Sequence, residues 1–114
     1  MQKRLSIFSV DNTQKTPLIW SCIRNYPKIT KLLIEHYIDI NKKDINGHDA
    51  LAYAIKYNHG ECVKILMLSL AGVDDWHMNT VDNSEEKVRN VFYLGVSLMR
   101  YFKKLEYSKR EELF

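Results

Sequence analysis

Two stretches of this chain carry the same order of polar and apolar positions, offset by 33 residues. Each opens with a polar segment and continues with a short apolar run, a break and a second run whose apolar residues share a helical face. The pattern predicts short first helices over residues 17–24 and 50–57. It predicts second helices through KITKLLIEHY (28–37), where Ile29, Leu32 and Leu33 share a face, and ECVKILMLSL (61–70).

The residues that mark the boundaries of the two stretches also correspond. Thr16 and Asp49 are both favourable N-cap residues. Pro17 follows at the first helical position, where its missing N–H loses no hydrogen bond, and Asn46-Gly47 is a strong tight-turn signal. Five aligned pairs are identical: Asp11 and Asp44, Leu18 and Leu51, Asn25 and Asn58, Lys31 and Lys64, and Leu33 and Leu66. The two stretches are therefore predicted to be copies of one structural unit.

The chain departs from this pattern after residue 82. Ser84 falls where the two aligned stretches have a leucine, and no helix-breaking residue interrupts residues 87–94. The spacing predicts one amphipathic helix of about twenty residues that begins near Ser84 and has Gly95 as its weak point. A broken pair of helices over 84–106 remains an alternative. The apolar residues that recur there are Val88, Val91, Phe92, Leu98, Met99, Phe102 and Leu105.

The repeated unit resembles the ankyrin repeat, a turn followed by two antiparallel helices with a period of about 33 residues. The family's threonine-proline-leucine signature corresponds to Thr16-Pro17-Leu18. Its valine-lysine-leucine-leucine segment corresponds to ITKLLIE at 29–35 and CVKILM at 62–67. The chain departs from the family where Gln14 replaces the turn glycine and where Asp49-Ala50 replaces threonine-proline.

The resemblance implies an all-α fold. We expect an ankyrin-repeat solenoid, built of helix-turn-helix pairs with short β-turns and closed by the long C-terminal helix. Covers are needed because a repeat cannot bury its own hydrophobic face. The predicted arrangement is a single domain over 1–114. It comprises an N-terminal partial cover (1–10), two ankyrin repeats (11–43 and 44–76), and a degenerate third unit or capping helix with a charged tail (77–114).

Composition narrows the class of protein. Apolar residues make up 46% and charged residues 27%, as in folded domains, and the net charge of +3 is too small and dispersed to indicate nucleic-acid binding. No segment resembles a signal peptide, and the apolar run CVKILMLSLAGV at 62–73 is too short to span a bilayer. We predict a cytoplasmic protein with no nucleic-acid or membrane partner, located in the host cytoplasm if its source is a virus or an intracellular microbe.

The side chains that could bind a metal or act in catalysis are interpreted as packing residues. His59 and Cys62 stand close together in HGEC, but a structural zinc site needs about four ligands and no second pair follows. The sequence has no glycine-rich phosphate loop, nucleophile elbow or motif of paired catalytic carboxylates. We therefore predict no enzyme activity, no catalytic residue, no metal and no cofactor.

Three further residues are interpreted as structural. Trp20 and Cys22 fall on the first predicted helix and are assigned to packing. The segment DDWH at 74–77 is interpreted as a polar turn, with Trp76 folded onto the C-terminal helix.

The resemblance also implies a binding surface. Ankyrin-like proteins typically bind other proteins with their turn tips and the exposed face of each first helix. We therefore expect a non-enzymatic protein-protein interaction module that binds a partner protein on its concave face. The alternative is an oligomerisation or assembly element, a homodimer formed through the C-terminal helix or the uncovered N-terminal edge. The positions carried over are Asn12, Thr13, Lys15, Ile23, Arg24, Ile45, Asn46, His48, Lys56 and Tyr57.

Overall fold

The computed structural model describes the backbone of residues 9–69 and 71–112, and their side chains up to Leu105 except that of Phe102. The predicted all-α fold is confirmed, since these residues form six helices and no strand. Most of the predicted N-terminal cover lies outside the described residues. None of the helices described is long and apolar enough to cross a bilayer. The helices are α1 (Pro17–Ile23), α2 (Pro27–Glu35), α3 (Ala50–Lys56), α4 (Gly60–Leu68), α5 (Asp75–Val81) and α6 (Glu86–Glu112).

The helices form two rows. α1, α3 and α5 pack side by side as the first row, and α2, α4 and α6 pack side by side as the second. Each first-row helix also packs against the helix that follows it, so the fold is a stack of three helix pairs. The buried apolar side chains form one core cluster, in which Leu18, Leu51 and Leu66 are at most 1% exposed.

Each first-row helix begins at the same kind of cap. The side chains of Thr16, Asp49 and Asp74 accept a hydrogen bond from the backbone N–H three residues later, at 3.1, 2.9 and 3.2 Å. These bonds satisfy donors that the first helical turn leaves without a backbone partner. The caps predicted at Thr16 and Asp49 are confirmed, and Asp74 does the same for α5.

The third cap comes earlier than the repeat length predicts. The segment that joins α4 to α5 covers only residues 69–74, whereas residues 36–49 join α2 to α3. A fixed step of 33 residues from Asp49 leads to Asp82, and so α5 was not predicted. The interpretation of residues 74–77 as a polar turn is wrong, because they cap and begin α5. The Trp76 ring lies 4.8 Å from the ring of His48 rather than on the C-terminal helix.

α6 is one continuous helix, which excludes the broken pair over 84–106. Val88 and Phe92, on its first two turns, are 1% and 0% exposed. A Cβ placed on Gly60 would lie 3.9 Å from Val88, and one placed on Gly95 would touch Met67, so α6 runs in the same direction as α4. Because α4 ends at Leu68, the half of α6 after about residue 99 extends beyond it.

Gly95 allows α6 to lie close to α4. A Cβ at this position would stand 2.8 Å from both the Cβ and the Cε of Met67. Gly95→Ala gains about 0.8–1 kcal/mol in helix propensity, but overpacking costs about 1–3 kcal/mol. We expect a net loss in the free energy of unfolding of about 1 kcal/mol, measured by urea denaturation.

The matched control is Gly60→Ala, whose added Cβ would meet only Val88 at an ordinary contact distance. This variant should be as stable as the parent protein or slightly more stable. Equal free energies of unfolding for Gly95→Ala and Gly60→Ala would contradict the close approach of α6 to α4 at Met67.

Candidate protein-binding surface

The turns that precede α1 and α3 are built around equivalent aspartates, Asp11 and Asp44. In each turn the Oδ1 atom accepts hydrogen bonds from the backbone N–H groups two and four residues later, at 2.9 Å for Asp11 and 3.0 Å for Asp44. A side chain that bonds the backbone ahead of it in this way fixes a tight turn. The identity of the two aspartates in the aligned stretches therefore has a structural reason.

The turns share a backbone conformation and are bonded to each other. Gln14 and Gly47, which occupy equivalent positions, both have positive φ angles, of 60° and 77°. Gln14 thus adopts the left-handed conformation that favours glycine. The Ile45 N–H donates to the Thr13 carbonyl at 3.0 Å and joins the two tips.

Aromatic rings continue from these turns along the first-row helices. The Trp20 Nε1–H donates to Asp11 Oδ2 at 2.9 Å, and the hydroxyl of Tyr53, at the equivalent position, donates to Asp44. The Tyr53 ring stacks on that of Tyr57, with centroids 6.3 Å apart and planes at 11°. The two turns (11–15 and 44–48) and these rings form a continuous face, called here the first-row surface.

Two exposed cations lie over rings of the first-row surface. The Arg24 guanidinium is 5.3 Å from the centroid of the Trp20 ring, and the Lys56 Nζ is 5.5 Å from that of Tyr57. The negative face of an aromatic ring attracts a cation in this position. Neither cation forms an ion pair with a carboxylate among the described residues, so both charges face solvent.

Lys15 has a different environment. Its side chain is 14% exposed, and its Nζ pairs with Asp44 at 3.5 Å. Burial acts to raise the pKa of Asp44, but hydrogen bonds from Tyr53 and from two backbone N–H groups, together with the charge of Lys15, outweigh it and hold that pKa below its usual value. Burial and the bond to Asp44 raise the pKa of Tyr53 to about 12. Asp44 therefore stays ionised and Tyr53 stays neutral near pH 7.

The first turn should respond to acid. Four hydrogen bonds to Asp11, with that from the Thr13 hydroxyl foremost, lower its pKa to about 2. Because the unfolded value is about 3.9, the contribution of Asp11 to stability is present above about pH 4 and is lost as the pH falls through about 2. We expect the ¹⁵N–¹H resonance of the Trp20 indole to shift over this range. Asp11→Asn should abolish the response, and an unmoved Trp20 resonance in the parent would contradict the turn geometry.

The predicted site residues differ in how accessible they are. Lys15, Ile23 and His48 are half-buried, and Ile23 packs against the core. Contact of any of the ten residues with a partner stays a prediction. The other seven are exposed: Asn12, Thr13, Arg24, Ile45, Asn46, Lys56 and Tyr57.

Two tryptophans lie beside these residues in the structure. Trp20, which the sequence assigns to packing, is 36% exposed and lies under Arg24. Its spacing of four residues from Arg24 is a signal that could have indicated this contact. Trp76 is also 36% exposed and lies against His48, but its place depends on α5.

The cysteines and His59 make contacts within the fold. Cys22 and Cys62 are fully buried, as predicted, and each Sγ lies 3.8 Å from the Thr30 hydroxyl. The Cys62 thiol and burial raise the pKa of Cys22, so Cys22 is a poor nucleophile. The His59 Nδ1–H donates to the Cys22 carbonyl at 2.6 Å. Across the described part of the chain, no three His, Cys, Asp or Glu side chains are grouped to hold a metal ion.

Known proteins resemble the repeat region of this chain. A family model described as ankyrin repeats (3 copies) matches residues 3–79. A probable E3 ubiquitin-protein ligase XBOS32 of Oryza sativa subsp. japonica is 34% identical over 70 residues, which are 61% of this chain and 14% of that protein. The potassium channel AKT2/3 of Arabidopsis thaliana is 33% identical over 78 residues, 68% of this chain and 10% of that protein. The chain thus matches a small part of each of these relatives.

Proposed function

We propose that this chain, which belongs to the ankyrin repeat family, binds a partner protein through the first-row surface. Ankyrin repeats generally mediate protein–protein interaction and are generally not enzymes. The observation that carries the proposal is the placement of two cations, Arg24 and Lys56, over the partly exposed rings of Trp20 and Tyr57, with no ion pair to a carboxylate of the described residues.

These four side chains have the properties of binding hot spots. Tryptophan, tyrosine and arginine carry a large share of the energy at protein interfaces. Trp20 and Tyr57 leave 36% and 45% of their surface for a partner to cover. Because the cations already lie on the rings, a partner would order few additional side-chain torsions when it docks, which lowers the entropic cost of binding.

We propose further that the partner docks an acidic segment here. The two aspartates of the turns are already engaged within the chain, Asp11 in its turn and with Trp20, and Asp44 with Tyr53 and Lys15. Of the described charges that lie on this surface, those of Arg24 and Lys56 are available to a partner. Carboxylates on a partner would complement them, whereas a basic segment would be repelled.

The proposal is tested with the double variant Arg24→Gln/Tyr57→Ser. Proteins captured from a lysate of the source organism by the immobilised parent chain are identified by mass spectrometry, and the recovered partner is titrated against both forms. We expect at least a tenfold loss of affinity, because removal of one hot-spot residue costs about 2 kcal/mol or more. The circular dichroism spectrum should be unchanged, since both side chains are exposed.

The matched control removes two cations from the second row. Lys31 and Lys64 occupy equivalent exposed positions of α2 and α4. Lys31→Gln/Lys64→Gln should therefore bind the partner like the parent chain. Equal affinity of the first-row variant and the parent, or a loss only in the second-row variant, would place the binding site elsewhere.

Two further assignments accompany this function. We propose that residues 77–114, together with the start of α5, form a degenerate third unit, because Asp74 caps α5 as Asp49 caps α3. We also propose that the chain acts in the cytoplasm without a cofactor, a metal or a catalytic residue. The assembly alternative is supported by a separate feature of α6.

A further inference from the structure

We infer that α6 carries a second interaction surface, on which a second copy of this chain docks. The surface, called here the α6 stripe, consists of Leu94, Leu98, Tyr101 and Leu105. These side chains are 63%, 39%, 58% and 41% exposed. The α6 stripe is separate from the first-row surface, and the inference does not rest on the function proposed for that surface.

α6 has two apolar faces, and the core cluster of the described residues covers one of them. Val88 and Phe92 are buried in the core, and Met99 packs against it. At 3.6 residues per turn, the α6 stripe lies about a third of a turn around the helix from that face. The contact between α6 and α4 therefore cannot bury the stripe.

The spacing of the α6 stripe matches a helix–helix seam. Its residues follow one another at intervals of four, three and four, which is the spacing by which paired helices interlock. These intervals read the same in both directions. A second copy in antiparallel orientation would therefore place Leu94 of each copy opposite Leu105 of the other, with Leu98 opposite Tyr101.

Charge favours the antiparallel orientation over the parallel one. Lys103 and Lys104 are exposed on the projecting half of α6. In a parallel pair the cations of both copies would lie at the same end of the seam, where like charges repel each other. In an antiparallel pair, whose midpoint falls between residues 99 and 100, they lie toward opposite ends of the seam. Since this half of α6 extends beyond α4, a second helix can reach it.

The area of the α6 stripe indicates how tightly the two copies should bind. Four partly exposed large side chains amount to about 300–400 Å² of apolar surface, which is the scale at which an exposed patch marks an interaction site. Two such patches with their polar rims lie at the lower end of specific interfaces, near 1,200 Å² in total. We expect a dimer with a dissociation constant in the micromolar range or weaker.

Sedimentation equilibrium of the 114-residue chain from about 5 µM to 1 mM tests the inference. The parent should rise from 13.5 kDa toward twice that mass. Leu98→Glu/Leu105→Glu should remain a monomer with an unchanged circular dichroism spectrum. The control Ile29→Glu/Leu32→Glu alters the exposed edge of α2 and should still dimerise. A parent that stays monomeric at every concentration, or a dimer lost only in the α2 variant, would overturn the inference.

The orientation is tested with two single variants, Leu94→Cys and Leu105→Cys. The native Cys22 and Cys62 are buried and should not cross-link. When the two variants are mixed in a glutathione redox buffer, the antiparallel seam predicts a disulfide between the two different chains as the main product. Disulfides formed mainly between identical chains would instead show a parallel pair.

Discussion

Phe92→Ala is expected to lower the free energy of unfolding by about 3–5 kcal/mol. Phe92 is fully buried and lies on the face of α6 that enters the core cluster. The substitution removes most of a large apolar side chain and leaves a cavity, and both effects destabilise the folded state. A domain of this size has a stability of about 5–15 kcal/mol, so the urea midpoint should fall steeply.

Leu94→Ala is the matched control on the same helix. Leu94 is 63% exposed, and at low micromolar concentration its truncation should change the free energy of unfolding by no more than about 0.5 kcal/mol. Equal urea midpoints for the two variants would mean that α6 contributes little to the core.

Asp49→Ala should have the second largest effect and lower the free energy of unfolding by about 2–4 kcal/mol. Its Oδ1 accepts the Ala52 N–H at 2.9 Å and lies 2.8 Å from the Nε2 of His77. The Nδ1 of His77 accepts the Asp74 backbone N–H, so the ring proton is on Nε2 and is donated to Asp49. The variant removes a cap, worth about 0.5–2 kcal/mol, and leaves a buried N–H without an acceptor, which costs about 1–3 kcal/mol.

Two variants separate these contributions in urea unfolding. Asp74→Ala removes an equivalent cap whose side chain is 46% exposed, and it should cost only the cap term of about 0.5–2 kcal/mol. Asp49→Asn retains an acceptor oxygen and should be milder than Asp49→Ala. If Asp49→Ala and Asp74→Ala were equally destabilising, the buried link from α3 to α5 through His77 would contribute nothing.

The parts of the fold that could be predicted from the sequence are those encoded by neighbouring residues. The ankyrin-repeat solenoid is confirmed, because a cap, a break and a helical apolar spacing are each encoded within a few residues. Thr16 and Asp49 cap their helices as predicted, and the aligned aspartates Asp11 and Asp44 occupy equivalent positions in their turns. α5 was missed because the repeat length changes before it, and a fixed offset cannot detect a shortened segment.

The burial of equivalent helix positions depends on the neighbouring helices, which the hydrophobic pattern of the sequence does not show. Ile29, Cys62 and Val88 occupy equivalent positions of α2, α4 and α6 but are 47%, 0% and 1% exposed. Cys62 faces the preceding helix pair at Thr30, whereas no described helix pair precedes that of α1 and α2. The contact of His48 with Trp76 likewise depends on tertiary placement, whereas the contact of Trp20 with Arg24 is local and could have been predicted from their spacing. The composition of the first-row surface could therefore be predicted only in part.

Chemical-shift mapping of the ¹⁵N-labelled chain with the captured partner tests the first-row surface most directly. We expect the largest changes at residues 11–15 and 44–48, at the Trp20 indole, and in the backbone of α1 and α3 near Arg24 and Tyr57. Residues of α2 and α4 should change little. Changes concentrated on α2, α4 and α6, with the Trp20 indole resonance unmoved, would contradict binding at the first-row surface.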